Sequence, residues 1–249
     1  MTDRAQIEVS VGHSDGVDRL LDNPVWSALS GPQAKFAERA GRAARYRADV
    51  SVFAGLDDDP DAAAWADAAR LPGSDMVLVG PQAPPPSDWA IQARVTGLQM
   101  LAQCVEAVAE PEAVPLGRGD VGDMLALISR TRPGPFLAGT IELGHYLGIR
   151  RDGVLVAMAG ERVRLPGWTE VSAVCTDQAL RGSGLASRLV RAVVAGIEAR
   201  GDRALLHVAA TNASAISLYR TLGFVERREI DFVLVRPPAD APRPVARSG

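Results

Sequence analysis

The most regular apolar pattern in the chain lies in its C-terminal half. Four aliphatic residues are spaced four apart there, as on one face of a helix: Leu185, Leu189, Val193 and Ile197. Gly201 follows them, and glycine often stands just beyond the last turn of a helix. The spacing therefore predicts a long helix that starts near residue 185 and stops before Gly201.

Shorter apolar segments on both sides of this helix predict the strands of a sheet. Residues 145–150 and 154–163 are two such segments, and Asp152-Gly153 between them is typical of a hairpin turn. A third strand is predicted at 169–176. The other elements expected here are a strand at 114–116, a helix after Asp120, a strand at 204–209, a helix at 212–222 and strand material at 224–235.

The N-terminal half is rich in alanine, and its pattern is weaker. Phe36, Ala40 and Ala43 stand at helical spacing and predict a helix over residues 33–44. Strands are expected at 50–53 and 76–79 and a helix at 61–71, whereas residues 89–107 fit a strand, a helix, or one followed by the other. These alternating elements predict an α/β (α+β) protein with a mixed sheet flanked by helices.

The character of the sequence changes near Glu110-Pro111, and we place a domain boundary there. Residues 1–110 then form an N-terminal α/β region without an assigned role, and residues 111–236 form the second domain. Residues 237–249 contain four prolines and no periodicity, which predicts a disordered tail.

Composition narrows the compartment and the partners. The two cysteines, Cys104 and Cys175, match no metal-ligand spacing and suit a reducing cytosol. The N-terminus lacks the apolar core of a signal peptide, and no apolar run approaches the ~18 residues of a membrane span. Because the net charge is only −3, there is no general reason to expect nucleic acid or an anionic membrane as a partner. We therefore expect a cytoplasmic protein without a metal.

A glycine-rich turn, Arg181-Gly182-Ser183-Gly184-Leu185-Ala186, lies between a predicted strand and the long helix. The first amides of a helix are unpaired and carry partial positive charge, and glycines let the backbone approach a ligand closely. Such a turn can hold phosphate oxygens, with Arg181 adding a charge-assisted contact. A tight turn that merely starts a helix fits the same residues about as well.

Two nucleotide-binding motifs have similar glycines, and neither matches. A P-loop needs Lys-Ser or Lys-Thr after the glycines, and none follows. A Rossmann fingerprint needs a third glycine where Ser187 stands and an acidic residue where Ala209-Ala210 end the next strand. A dinucleotide-dependent reductase therefore rests only on this partial match.

A second motif follows one strand later. Six residues match the pattern N-x-x-A-x-x-L-Y-x-x-x-G-F: Asn212, Ala215, Leu218, Tyr219, Gly223 and Phe224. Arg181, Gly184 and Ala186 match the pattern [QR]-x-x-G-x-[GA]. In this order, separated by one helix and one strand, the two patterns resemble the GNAT superfamily of acyl-CoA-dependent N-acyltransferases over about half of the chain. The N-terminal half carries neither pattern and is either a degenerate copy of the GNAT fold or a family-specific extension.

The resemblance implies a fold, an activity and a set of site residues. The fold is a mixed sheet whose fourth and fifth strands splay apart. The activity is the transfer of an acetyl group from acetyl-CoA, as cosubstrate, to a primary amine by direct attack in a ternary complex. The positions that match the family's coenzyme A contacts are Val174, Cys175, Thr176, Arg181, Gly182, Ser183, Gly184, Leu185, Ala186, Ser187, Asn212 and Tyr219.

Two residues are candidate catalytic groups. Tyr219 matches the family's general acid, and a phenol with a pKa of about 10 is close in acidity to an alkyl thiol; the alternative is a packing residue that only hydrogen-bonds the cosubstrate. Glu170 is the best-placed carboxylate to take the proton of the amine, with a solvated structural glutamate as the alternative. His207 fits a core histidine, and Cys175 fits a small buried hydrophobe better than a nucleophile.

A second hypothesis for function is a catalytically silent acyl-CoA-binding or regulatory module. Binding of coenzyme A without turnover on any amine would favour it. Small amines, peptide N-termini, protein lysines and antibiotics all fit as acceptors. Both a monomer and an oligomer such as a homodimer fit the sequence.

Overall fold

One continuous mixed sheet of eleven strands dominates the computed structural model, which describes residues 15–80 and 83–239. Most of the predicted tail, residues 240–249, lies outside the described residues. The strands are β1 (Ala37–Ala40), β2 (Ala43–Tyr46), β3 (Phe53–Leu56), β4 (Met76–Val79), β5 (Ala90–Ala102), β6 (Val114–Leu116), β7 (Tyr146–Arg151), β8 (Val154–Leu165), β9 (Trp168–Thr176), β10 (Arg203–Ala209) and β11 (Phe224–Arg236). The helices are α1 (Asp15–Asp22), α2 (Pro24–Ser30), α3 (Ala62–Ala69), α4 (Val121–Thr131), α5 (Leu185–Ala199) and α6 (Ala213–Leu222).

The strand order is β1-β2-β3-β4-β11-β5-β10-β9-β8-β7-β6. Two neighbouring pairs are parallel, β3–β4 and β9–β10, and each is connected by a helix, α3 or α5. β5 of the N-terminal half lies between β10 and β11 of the C-terminal half and pairs with both. Strands from both sides of residue 110 therefore share one sheet, and the mixed α/β fold class is confirmed.

The long helix α5 covers the C-terminal half of the sheet, as its apolar spacing predicted. Leu185, Leu189, Val193 and Ile197 are all buried against β7 to β10, in the largest apolar cluster of the described residues. The predicted strands from residue 145 onward and the helix at 212–222 are likewise confirmed, with boundaries that differ by at most two residues.

The predicted helix over residues 33–44 is wrong. A short 3-10 turn at Ala34–Phe36 is followed by the antiparallel pair β1 and β2, in which Ala43 lies opposite Ala40. All four residues of β2 are buried, and Phe36 packs in the same core as Tyr46. Alanine is the best helix former, but helix propensity is weak compared with tertiary packing, so burial of β2 in the sheet decides the structure. Residues 89–107, left open between strand and helix, contain β5.

Candidate active site

The parallel strands β9 and β10, the fourth and fifth of the predicted GNAT domain, separate halfway along their length. Their pairing runs from Trp168 opposite Arg203 to Val171 opposite Leu206 and then stops. A cavity of about 830 Å³, the cofactor cleft, opens between residues 171–176 and 207–209. The splay of the two strands that the family resemblance implied is therefore confirmed.

A β-bulge in β9 marks the point of separation. Met158 pairs with Cys175 and Gly160 pairs with Ser172, so β9 has one residue more than β8 in between. Ala173, inside the bulge, has a φ of +53°, which is unusual for a residue other than glycine. A bulge leaves a residue unpaired and bends the strand. The edge of β9 that β10 has left faces the cleft.

The glycine-rich turn forms one end of the cleft. Gly182 and Gly184 both have a φ of +80°, and a Cβ at either position would meet no atom within 4 Å, so conformation and not crowding favours glycine. Gly184 is the N-cap of α5 and offers no side chain to cap it. The first amides of α5 therefore remain without an intrahelical acceptor. A diphosphate fits this end because free N–H groups and the helix dipole both favour an anion.

All but one of the predicted coenzyme A contacts line the cleft. The exception is Ser183, whose hydroxyl turns back and donates to the carbonyl oxygen of Leu180 at 2.5 Å. Thr176 lines the cleft, but its hydroxyl oxygen is buried and has no partner in the described parts of the chain.

Tyr219 and Cys175 meet in the wall of the cleft. Burial, and then the neighbouring Cys175, raises the pKa of Tyr219 to about 12. Burial raises the pKa of the Cys175 thiol to about 11. Both groups therefore keep their protons at neutral pH. Asn212 caps α6 through its side-chain oxygen, which accepts from the amide of Ala215 at 3.2 Å, and it also lines the cleft.

Glu170 lies behind the wall of the cleft and does not line it. It is fully buried, and its two oxygens accept from Nη2 and Nε of Arg162 at 2.6 and 3.0 Å. Burial by itself would raise the pKa of this carboxyl, but Arg162 and His207 outweigh burial and hold the pKa below its usual range. Glu170 is therefore an ionised, buried group, not a solvated one.

His207 is a satisfied core histidine that also touches the cleft. Its Nδ1 lies 2.8 Å from Oε1 of Glu170, and its Nε2 lies 3.0 Å from Nε2 of Gln99. The Gln99 amide also donates to the carbonyl oxygen of Leu21 at 2.7 Å, so this nitrogen is the donor toward the histidine. The hydrogen bonds thus assign the proton of the neutral ring to Nδ1.

Arg162 is a functional candidate that sequence reasoning missed. The pairs Glu161–Val171 and Arg164–Thr169 enclose two residues of β8 against one of β9, a second bulge. The amide of Val163 donates to Glu170 at 3.3 Å, so the carboxylate fixes this bulge. Bulges beside active sites redirect side chains. The only sequence signal was an arginine in a largely apolar strand, since buried charges are rare unless paired.

A second cavity of about 350 Å³, the acceptor cavity, adjoins the cofactor cleft. The two share Pro133, Arg162, His207, Val208 and Ala209 in their walls. The remaining wall comes largely from the N-terminal half and from β11: Phe53, Val77, Ala93, Val95, Phe232 and Leu234. The N-terminal half, which carries no motif, thus forms part of the site.

Neither a metal cluster nor a membrane helix occurs in residues 15–80 and 83–239. No group of three or more His, Cys, Asp and Glu residues there is arranged to hold a metal ion. Within the same two segments, no helix is both long and apolar enough to cross a bilayer.

Comparison with known proteins identifies the class that this splayed sheet and cleft define. A family model described as FR47-like protein matches residues 146–233. The structure of a GNAT-family protein from Novosphingobium aromaticivorans is 41% identical, with a TM-score of 0.80 over 87% of this chain and 98% of that one. The chain therefore belongs to the GNAT family of acetyltransferases, as its two motifs predicted.

Two further relatives define how far the likeness extends. N-alpha-acetyltransferase RimI of Mycobacterium tuberculosis is 40% identical over 83 residues, which are 32% of this chain and 51% of that protein. The chain thus spans about half the length of this curated relative. A GCN5-related N-acetyltransferase from Kribbella flavida shares the fold, with 19% identity and a TM-score of 0.57 over 87% of this chain and 96% of that one. The predicted enzyme class, an acyltransferase with acyl-CoA as cosubstrate, is confirmed at the level of the family.

Proposed function

We propose that the protein transfers an acetyl group from acetyl-CoA to a primary amine, by direct attack of the amine in a ternary complex. The observation that carries this proposal is the meeting of three features on one cleft: the uncapped start of α5, the free edge of β9 and the hydroxyl-bearing ring of Tyr219. Each supplies one requirement of acyl transfer between bound reactants.

The glycine-rich turn binds the diphosphate of coenzyme A in this proposal. Amides at the start of α5 donate to its oxygens, and Arg181, which lines the same cleft, adds charge. The side-chain oxygen of Asn212 is taken up by its helix cap, which leaves the amide nitrogen for the cosubstrate. Specificity for a diphosphate therefore comes mainly from the backbone.

The free edge of β9 binds the pantetheine arm and positions the thioester. Val174, Cys175 and Thr176 supply backbone groups on the side that β10 has left. An amide of this edge that points at the thioester oxygen would stabilise the negative charge that develops there.

Tyr219 donates a proton to the departing thiolate. Its raised pKa keeps the phenol protonated throughout the working range of pH. The same shift makes it a weaker acid than a free phenol, so complete proton transfer is less favourable than the sequence suggested. A hydrogen bond from the phenol that strengthens as negative charge develops on sulfur does not need complete proton transfer, and it still lowers the barrier.

Glu170 is proposed to act through its neighbours. A direct base must reach the amine, whereas Arg162 and His207 line the cavities in front of Glu170. Its lowered pKa also opposes proton uptake at neutral pH. We therefore assign it a positioning role, and the direct base role remains a prediction of the sequence.

The test is thiol release from acetyl-CoA with a panel of primary amines. Tyr219→Phe should lower kcat about a hundredfold or more, the usual size of a general-acid contribution. Tyr146→Phe is the matched control, because Tyr146 is a buried tyrosine without a hydroxyl partner in the described chain and does not line the cleft. Coenzyme A binding without turnover on any amine would instead indicate a silent binding module.

The cytoplasm is the compartment that we propose for this activity. Cys104 and Cys175 are free thiols, one exposed and one buried, which suits a reducing environment. Cell fractionation with an antibody to the protein tests this, and recovery outside the cytoplasmic fraction would contradict it.

A further inference from the structure

The acceptor cavity is apolar and contains no acidic group. Among the described residues that line it or the cofactor cleft, none is Asp or Glu. Its volume of about 350 Å³ is at the lower end of the range of about 300 to 1,000 Å³ for small-molecule sites. An acceptor with several cationic groups would lose hydration here without gaining a counter-ion.

Arg162 is the one charged side chain among the described residues that line this cavity. Nε and Nη2 are occupied by Glu170, and the guanidinium lies 4.7 Å from the ring centre of Phe53. No atom in the described parts of the chain accepts from the third nitrogen, Nη1. The side chain is only 12% exposed, so this donor is held at the junction of the two cavities and is not free in solvent.

The surroundings of Arg162 determine which ligand atom it suits. Glu170 already balances the guanidinium charge, and the proton on Nδ1 of His207 points to the same carboxylate. A second carboxylate would add an unbalanced negative charge to this buried group, which is costly. A neutral carbonyl oxygen accepts from Nη1 without that cost.

We propose that Arg162 binds the amide carbonyl of the acceptor, and that the acceptor is an apolar primary amine with this carbonyl on the amine-bearing carbon. The apolar side group of the acceptor lies against Val95, Phe232 and Leu234. The proposal deepens the acetyltransferase function proposed above and rests on it. It makes Arg162 a specificity-determining residue and Glu170 the residue that positions it.

Basicity points to the same kind of acceptor. An amine next to a carbonyl has a pKa of about 8, against about 10.4 for a lysine side chain. It therefore reaches the thioester neutral far more often at neutral pH. Since no carboxylate lines either cavity in the described chain, a weakly basic amine needs the least help in losing its proton.

The first experiment compares four amines on the unaltered protein. Leucinamide carries the apolar group and the carbonyl, isopentylamine lacks the carbonyl, leucine carries a carboxylate, and agmatine carries a second cation. With kcat/KM expressed per neutral amine, leucinamide should exceed each of the others by about tenfold to a hundredfold, the size of a hydrogen bond to a charged group. Equal values for leucinamide and isopentylamine, or preference for leucine or agmatine, would overturn the proposal.

Variants separate a binding role of Arg162 from a structural one. Arg162→Lys keeps the charge but loses the forked geometry, so the advantage of leucinamide over isopentylamine should fall to about threefold or less. That ratio is unaffected by a general loss of folded protein. Affinity for coenzyme A, measured by calorimetry, should stay within about threefold of the parent. A ratio that stays at the parental value would contradict the assignment.

A matched pair on β5 tests the apolar wall without touching Arg162. Val95 and Ile91 both lie on β5 and are 51% and 50% exposed, but only Val95 lines the acceptor cavity. Val95→Glu should lower kcat/KM for leucinamide about tenfold and raise it for agmatine, because it adds the missing counter-charge. Ile91→Glu should change neither by more than about twofold. Equal effects of the two variants would overturn the placement of the acceptor.

The two proposals fail in different ways. If coenzyme A binds but no amine is acetylated, the acetyltransferase proposal fails and this one fails with it. If agmatine or isopentylamine is the best acceptor, the acetyltransferase proposal stands and only the assignment of Arg162 and its carbonyl partner is wrong.

Discussion

Two similar units lie on either side of the centre of the sheet. β3-α3-β4 and β9-α5-β10 are each a pair of parallel strands connected by a helix. The central order β3-β4-β11-β5-β10-β9 is symmetric, with the last strand of each half placed beside the parallel pair of the other half. Whether the N-terminal region is a degenerate copy of the GNAT fold or a family-specific extension stays a prediction, and this symmetry is the observation on which the first alternative rests.

The two units differ most where their helices begin. The segment before α3 is acidic, and the side chain of Asp61 caps the helix by accepting from the amides of Ala63 and Ala64, both at 3.0 Å. Those amides, and then Arg42, hold the pKa of Asp61 below its usual range, so the cap is a carboxylate. α5 begins at the uncapped Gly184. The start of a helix attracts a phosphate only when the protein does not supply its own anion.

The clefts beside the two helices also differ. A cavity of about 10 Å³, room for roughly one water, lies beside β3 and β4, against about 830 Å³ beside β9 and β10. Asn23 donates from its amide to the carbonyl oxygen of Leu56 at 2.8 Å, and Trp26 packs on Gly55. In the N-terminal unit, other parts of the chain hydrogen-bond the helix amides and fill the cleft. The corresponding amides and cleft of the C-terminal unit are left open to a ligand.

The largest effect is expected within the C-terminal unit, at Glu170 of β9. Glu170→Gln leaves the buried Arg162 without its counter-charge, which typically costs about 3 to 5 kcal/mol of unfolding free energy. Urea unfolding measures the loss. Glu226→Gln is the control, because Glu226 pairs with the largely exposed Arg220 and should cost about 1 kcal/mol or less. Equal losses would show that the buried pair contributes no more to stability than an exposed one.

The stability that Glu170 contributes should also depend on pH. Since the folded pKa of Glu170 lies below the unfolded value of 4.5, its contribution to stability is present above pH 4.5 and is lost as pH falls below that value. The stability difference between the parent and Glu170→Gln should therefore narrow from pH 5 toward pH 2. A difference that stays constant over that range would show that the carboxylate charge contributes nothing.

An acidic residue at the N-cap of α5 should make its N-terminus resemble that of α3, where a carboxylate of the chain already occupies the first amides. Gly184→Asp puts a carboxylate where we propose that the diphosphate binds, and repulsion at close range should weaken coenzyme A binding about a hundredfold or more in calorimetry. Gly201→Asp is the matched control at the other end of α5: Gly201 has a φ of +83° and equally open surroundings. That variant should leave the affinity within about threefold.

Closure of the N-terminal cleft is testable at Gly55. A Cβ there would lie 2.7 Å from the backbone nitrogen of Trp26, so Gly55→Ala should push α2 off the sheet and cost about 1 to 3 kcal/mol. Gly117→Ala, where a Cβ would meet no atom within 4 Å, should be nearly neutral. Coenzyme A affinity should be unchanged in both. A stable Gly55→Ala variant that binds coenzyme A at a second site would contradict this prediction, because displacement of α2 would then be enough to open the N-terminal cleft to coenzyme A.

The comparison also shows which features the sequence could predict. α5 was predictable because its four-residue apolar repeat is the face that becomes buried. The hairpin of β1 and β2 was not, because its alanines favour a helix and only burial in the finished sheet overrides that preference. Arg162 and the acceptor cavity were hidden for a different reason. A bulge leaves no clear mark in sequence, and the wall joins residues as distant as Phe53 and Leu234 through the placement of β5 between β10 and β11.

The smallest effect is expected from removing the acid cap of α3. Asp61→Ala loses two hydrogen bonds to the start of the helix and should lower Tm by about 2 to 4 °C, measured by circular dichroism. Asp59→Ala is the control, because the exposed Asp59 side chain caps no helix in the described chain. Neither variant should alter kcat/KM or coenzyme A affinity, because the cleft beside α3 stays filled by Asn23 and Trp26. If Asp61→Ala instead created a second coenzyme A site, the Asp61 carboxylate alone would explain why the N-terminal unit does not bind coenzyme A. The filling of its cleft by Asn23 and Trp26 would then depend on the cap and would not by itself prevent binding.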